Sequence, residues 1–197
     1  MEIAHPVMDS FSQDGYILQD PGNYDVDYLW KAFRYGSVEP TDAWTSLYDP
    51  AYPLAVAQME FPDSFALSQV IIQATGTTSD GSSLKTFDVE GSMDGSVWDI
   101  LLSVVDETVF APDEARTYPV VGSASYSHYR LNIIAGQAGD RTKIGDISYW
   151  KAELGGIKLS IGGELKHMVP KIMQGGVLKN VCMKVMQGGV LKNVSGC

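Results

Sequence analysis

Apolar and polar side chains alternate one for one in several stretches of this chain, and between residues 25 and 35 they recur at helical spacing instead. In Lys85–Leu102, KTFDVEGSMDGSVWDILL, Phe87 and Val89 alternate with Thr86, Asp88 and Glu90, while Trp98, Ile100 and Leu102 alternate with Asp99 and Leu101. A period of two marks a strand with one face buried, so two strands are predicted on either side of Asp94-Gly95. That dipeptide predicts a two-residue type I′ turn, because Gly takes positive φ freely and Asp tolerates it. Ala55–Phe61 predicts a strand with Ala55, Ala57, Met59 and Phe61 on one face. Leu67–Gln73 predicts another, Tyr129–Ile133 a third, and Tyr118–Val121 an edge strand, since Pro119 has no amide proton to give a ladder. Val26, Leu29, Trp30 and Phe33 predict a short helix covering one edge of the sheets, with Asp25 as N-cap and Gly36 as stop. The first 24 residues mix Pro, Gly, Asp and Ser with isolated apolar residues and read as an irregular arm.

The chain then repeats itself. Lys158–Lys166, Lys171–Lys179 and Lys184–Lys192 follow one another at a spacing of 13 residues, each with a central Gly-Gly: Gly162-Gly163, Gly175-Gly176 and Gly188-Gly189. Each unit reads as a short strand, a two-residue turn and a return strand. Such hairpins bury little alone and are expected to pack on each other, on the preceding domain or on another chain. The organisation predicted is an arm (residues 1–24), a β domain (25–154) and three hairpin repeats (155–197).

Composition supports a turn-rich all-β protein: 45% hydrophobic residues with 20 Gly and 9 Pro in 197 residues. No apolar run is long enough to span a bilayer, and MEIAHPVMDSF lacks the basic start and apolar centre of a signal peptide. Membrane insertion and secretion are therefore not expected, and Cys182 and Cys197 are read as reduced thiols. From Gly155 onward six Lys face one Glu, a net +5, so the total of −10 leaves −15 for the rest. An acidic body repels phosphate backbones, which argues against nucleic acid as a partner. The basic tail favours an acidic protein surface.

Phe87-Asp-Val-Glu-Gly-Ser-Met-Asp-Gly-Ser-Val-Trp98 resembles the central motif of the coagulation-factor type C, or discoidin, family of galactose-binding-like jelly rolls. Lys31–Gly36 with Asp42-Ala43-Trp44 is similar to that family's opening. Glu60-Phe61-Pro62 is loosely similar to its Asp-Leu-Gly strand end, Tyr129-Arg130-Leu131 to a late strand and Ile147–Trp150 to the closing one. The resemblance implies a jelly-roll β-sandwich whose core includes Trp44, Phe87, Trp98, Tyr129 and Trp150. In many members the opening loop helps hold calcium. Here Arg34-Tyr35 replaces the acidic residue, and a cation opposes a cation, so no cofactor is expected and calcium is kept only as an alternative. The Gly-Gly units are similar to C-terminal modules of bacteriophage tail and other virion proteins.

Catalytic signatures are missing from the sequence. His5, His128 and His167 fall in no metal-ligand spacing, and there is no Gly-x-Ser-x-Gly elbow, phosphate loop or dinucleotide fingerprint. His128 and Arg130 share one face of a predicted strand, where a solvated sheet face explains them. Sugar recognition needs an aromatic face and a few planar polar groups. Arg34, Tyr35, Tyr48, Tyr52 and the Thr75–Ser83 loop with Asp80 supply these if they gather at one end of the sandwich. The expectation is a non-enzymatic virion structural protein, a phage tail or head decoration protein made in the host cytoplasm. It would associate with other virion proteins and with itself, as a homo-oligomer and first of all a trimer. The alternative is a carbohydrate-binding module, an adhesin or enzyme accessory whose partner is a host-surface glycan.

Overall fold

The computed structural model of the chain describes residues 2–20, 29–34, 43–47, 50–76, 83–137, 141–152, 157–161, 164–168, 184–187 and 190–193. They fall in two units, Met1–Ala152 and Glu153–Cys197. The first holds, in order, β1 (Glu2–Ile3), β2 (Ser12–Gln13), β3 (Tyr16–Gln19), a 3-10 helix (Leu29–Phe33), β4 (Trp44–Thr45), β5 (Leu54–Gln73), β6 (Leu84–Ser92), β7 (Asp99–Val104), β8 (Ala115–Pro119), β9 (Ser125–Gly136), β10 (Lys143–Ile144) and β11 (Asp146–Lys151). The second holds β12 (Ile157–Ile161), β13 (Glu164–Met168), β14 (Lys184–Gln187) and β15 (Val190–Asn193).

The first unit is an antiparallel β-sandwich. One layer runs β1-β11-β5-β8 and the other β2-β3-β5-β9-β6-β7, with the 20-residue β5 belonging to both. The alternating positions supply the interior: Phe87 and Val89 from β6, Leu131 and Ile133 from β9, Val70 and Ile72 from β5, Ile147 and Tyr149 from β11. Tyr149 of one layer meets Tyr129 and Phe61 of the other at centroid distances of 5.8 and 6.0 Å, and Phe87 meets Tyr118 edge-on at 5.2 Å. Buried phenols need partners: Tyr149 donates to the Ala57 carbonyl at 3.0 Å and Tyr129 to the Phe65 carbonyl.

Four expectations are corrected. Residues 2–19 are not an arm: Ile3 pairs with Trp150, Leu18 with Met59, and Ala4, Met8 and Leu18 lie in the core, because isolated apolar residues suffice when each fills a place at a sheet edge. Ala55–Phe61 and Leu67–Gln73 are one strand rather than two. Register shifts between Val56 and Met59 and between Glu60 and Phe65 let β5 carry Pro62–Ser64 as an exposed bulge. The first shift, with Ala57 at φ 52°, also resets the buried face from Leu54 and Val56 to Met59 and Phe61. The predicted helix is reduced, among the described residues, to the 3-10 turn Leu29–Phe33, which buries Leu29, Ala32 and Phe33; Asp25, Val26 and Gly36 lie outside them.

The fourth correction concerns Asp94-Gly95. The ladder closes at Gly91 and Asp99, so the connection is longer than two residues. Only Gly95, at φ 71°, takes the left-handed conformation. Ser92 Oγ accepts the amides of Asp94 and Gly95 at 3.2 and 3.0 Å, and Asp94 Oδ1 accepts those of Ser96 and Val97 at 2.9 and 3.0 Å. These side chains satisfy the loop amides that a tight turn would have paired across the ladder. The amides of Val97 and Ser96 hold the Asp94 carboxyl well below the usual carboxylate range. A register shift opposite Val89 and Glu90 adds a residue to β7, leaving Ile100 62% exposed while Leu102 and Val104 pack on the core.

In the second unit Ile161 pairs with Glu164 across Gly162-Gly163, and Gln187 pairs with Val190 across Gly188-Gly189. The four glycines themselves, and the middle repeat with Gly175 and Gly176, lie outside the described residues.

Candidate functional site

Four segments meet at the end of the sandwich where β5 and β6 begin, β9 ends and β11 begins. Among the described residues they comprise 46–47 with 50–54, 74–76 with 83–84, 105–114, and 136–137 with 141–145, and hydrogen bonds lace them together. Ser46 and Thr142 exchange two bonds of 2.8 Å, one of them through Ser46 Oγ. Gln137 N donates to the Ser83 carbonyl at 2.9 Å, and Gln137 Nε2 to the Glu107 carbonyl at 2.6 Å. Ala74 N donates to the Glu114 carbonyl at 2.9 Å. Tyr52 stands half-buried among these segments with its hydroxyl 2.6 Å from Thr142 Oγ1. Gly136 lies so close to this hydroxyl that a Cβ there would sit 2.3 Å from the Tyr52 oxygen. The hydroxyl end of Tyr52 is thus held between Thr142 and the bare backbone of Gly136.

One flank of this end is a fixed electrostatic network. Arg116 stacks 4.0 Å from the Phe110 ring centroid, pairs with Glu107 at 2.8 Å and with Glu114 at 2.7 Å, and donates to the carbonyls of Thr108 and Val109. Tyr118 donates to Glu107 at 2.9 Å. Burial first, then the Glu107 carboxylate, pushes the Tyr118 phenol well above its ordinary value. Burial works against the Glu107 charge, yet the Thr108 amide, the Tyr118 hydroxyl and Arg116 together keep its carboxyl below the usual range. A guanidinium so occupied is a brace for the 105–114 segment.

A second polar group lies on the outer face of the layer containing β6 and β9. Arg130 donates to Glu90 at 2.6 Å and lies over Trp98 at 4.0 Å, and Asn132 donates to Glu90 at 3.2 Å. Beside them Ser127, His128 and Glu60 stand in the order of a hydrolytic relay. Ser127 Oγ, however, donates to the Met93 carbonyl at 3.0 Å, which leaves the imidazole Nδ1, also 3.0 Å away, as donor to the serine. Glu60 is 3.7 Å from Nε2, beyond hydrogen-bond reach. A serine so arranged is not activated as a nucleophile.

The sandwich has solved counterparts. A family 32 carbohydrate-binding module of Clostridium perfringens in complex with galactose matches with a TM-score of 0.53 and 12% identity over 71% of this chain and 96% of that one. The C-terminal domain of a Bacteroides fragilis chitobiase matches with a TM-score of 0.53 and 17% identity over 75% and 97%. An F5/8 type C domain from the same organism matches with a TM-score of 0.53 and 11% identity over 72% and 100%. The fold is that of the galactose-binding-like jelly rolls. No protein-family model matches the chain, and no curated protein does.

On this galactose-binding-like frame the predicted residues separate. Tyr52 stands at the loop end, as described. Arg34 follows the 3-10 helix, its guanidinium 5.7 Å from the Trp30 ring, while the adjoining Phe33 joins the cluster around Tyr149. Tyr35, Tyr48 and Asp80 lie outside the described residues. Trp44 is 1% exposed and donates to Asp20 at 3.3 Å; Phe87 and Tyr129 are buried. Trp98 and Trp150 differ from expectation and are half-buried. The register shift in β7 leaves Trp98 outside the layer under Arg130, and alternation along β11 gives the inner place to Tyr149. Thr142 and Ser46 escaped notice because nothing local marks them; their partner lies 90 or more residues away in sequence. Among the described residues no group of three or more His, Cys, Asp or Glu is placed to hold a metal, and no helix is long and apolar enough to cross a membrane.

Proposed function

We propose that the jelly roll is a carbohydrate-binding module that takes a neutral, galactose-like sugar at the loop end around Tyr52. The observation that carries this reading is the half-buried Tyr52, whose hydroxyl is held by Thr142 against Gly136 where described residues of four segments converge. An aromatic face held rigidly loses little entropy on stacking against a sugar's C–H surface, and convergent loops bring polar groups to its hydroxyls. The sugar-bound clostridial module of the same fold supports the substrate class. Calorimetric titration with galactose and a glycan array form the test. Tyr52→Ala is expected to abolish the binding of the parent and Tyr52→Phe to retain most of it. A parent that binds no glycan, or a Tyr52→Ala variant that binds as well as the parent, overturns the reading.

A second role rests on the repeats. The sequence units at 158–166 and 184–192 each form an antiparallel hairpin, and such two-stranded ribbons are marginal in isolation. This supports use of residues 155–197 for self-association or anchoring, as in a virion structural protein of phage tail or head. The solution masses of the full chain and of a version ending at Ala152 test it. An oligomer that persists without the tail, or a full chain that is monomeric, removes this role.

A further inference from the structure

Among the described residues the segment Glu2–Met8 is held to the sandwich by few backbone bonds. Only Glu2 and Ile3 pair with β11, opposite Lys151 and Trp150. Beyond them Ala4 N donates to the Tyr149 carbonyl at 2.7 Å and Met8 N to the Phe33 carbonyl at 3.2 Å. Between these two bonds His5 is inserted into the interior with 3% exposure. Its ring meets Phe33 edge-on at 5.2 Å and Tyr149 at 6.5 Å. Nδ1 lies 2.9 Å from the Pro6 carbonyl, while Nε2 is buried with no hydrogen-bond partner among the described residues. The neutral ring fits this place as a donor through Nδ1 with an idle lone pair at Nε2. A proton on Nε2 creates a buried N–H and a buried charge facing aromatic carbon, and both are costly.

From this arrangement we infer that Glu2–Met8 is an acid-released strap: protonation of His5 detaches it from Phe33 and Tyr149 and leaves the outer edge of β11 unpaired. Among the described residues the imidazole meets Phe33 from the 3-10 helix, Tyr149 from β11 and the Pro6 carbonyl from its own segment. Among the described residues the titratable group it meets is the Tyr149 phenol, kept neutral because burial raises its pKa. Glu2 and Lys151 face each other one pair beyond Ile3 and Trp150, at the end of the strand. Val7 is half exposed and its carbonyl accepts from Gln13 Nε2 at 3.3 Å, so the segment is tethered at its far end and swings rather than strips away. Burial brings the His5 pKa down to about 4, opposed by the bond to Pro6. A released imidazole titrates near ~6.5. The strap is therefore closed above that pH, and its opening becomes steadily easier as pH falls toward 4.

Native-state hydrogen exchange at the Ala4 and Met8 amides tests this, with the Leu131 amide of β9 as internal reference. Between pH 7.5 and 5.0 the opening constant at both amides, corrected for intrinsic exchange, is expected to rise about 30-fold, with Leu131 unchanged. In His5→Gln, which keeps a polar group of similar reach without a titratable nitrogen, the rise is expected to vanish. His5→Phe serves the same purpose if the Gln variant does not fold. The His5 C2-proton titration of the parent gives an independent reading near pH 4. A rise of equal size in either variant, protection at Ala4 and Met8 that does not change with pH, or an imidazole titrating near 6.5 overturns the inference.

Discussion

Glu90 is 5% exposed in the middle of a sheet face, and its charge is tolerated because Arg130 and Asn132 both donate to it. Arg130 is in turn stacked on Trp98, 4.0 Å from the ring centroid, so the four side chains are linked in one group. Removing the guanidinium in Arg130→Leu leaves a desolvated carboxylate and is expected to cost about 3 kcal/mol. Adding Glu90→Leu should recover most of that loss, because the pair also bears a desolvation cost. A double-mutant cycle read by urea unfolding checks this, and additive losses would contradict it. The two tryptophans differ for the same reason. Trp44→Ala empties a fully buried place and is expected to cost about 3–5 kcal/mol. Trp98→Ala removes a stacking partner from a half-buried surface and should cost about 1–2 kcal/mol. Equal shifts in the urea midpoint would refute that ordering.

At the scale of elements, the irregularities decide the shape. Ala57 sits in β5 at φ 52°, buried, with its carbonyl accepting from Tyr149 in the opposite layer, so one residue resets the buried face and ties the two sheets. Gly accepts this backbone without strain and a β-branched side chain does not. Ala57→Gly is expected to lie within about 1 kcal/mol of the parent, since relieved strain offsets the lost methyl. Ala57→Val should cost more than about 2 kcal/mol through crowding and strain. Thermal unfolding of both variants checks the pair, and a neutral Val would mean that the bulge is not fixed. The strands themselves were legible, because Phe87 with Val89 and Leu131 with Ile133 alternate with polar residues whose faces are wet or paired. What escaped were features whose cause is distant. The Ala57 bulge depends on Tyr149, the docking of Met8 on Phe33, and the loop at Asp94 on side-chain bonds that can substitute for a tight turn. The candidate site was half legible in the same sense: Tyr52 announces itself in a Pro-rich loop, while Thr142 is brought to it only by the fold.

Over the whole molecule, the interior joins both layers through aromatic hydroxyls, and this sets its response to alkali. Burial raises the phenols of Tyr118, Tyr129 and Tyr149 well above the ordinary tyrosine value. The unfolded chain ionises them near ~10, so the stability they contribute is complete below that pH and is lost as pH rises above it. Tyrosinate absorbance is expected to show these three appearing in a cooperative step that coincides with loss of the β-sheet signal. Smooth titration of all ten tyrosines with the sheet intact would contradict it. The same interior bears on the two units. Among the residues whose burial is described, the buried hydrophobic ones run from Ala4 to Tyr149, and the bond from Ala152 N to the Ala66 carbonyl at 2.8 Å lies at the boundary of the first unit. A chain ending at Ala152 thus retains every strand of the sandwich and each of these core residues. Its free energy of unfolding, measured in urea, is expected to match that of the same transition in the full chain within about 0.5 kcal/mol. A larger loss would mean that residues 153–197 complete the sandwich rather than serve a separate purpose, and the self-association role proposed for them would lose its structural basis.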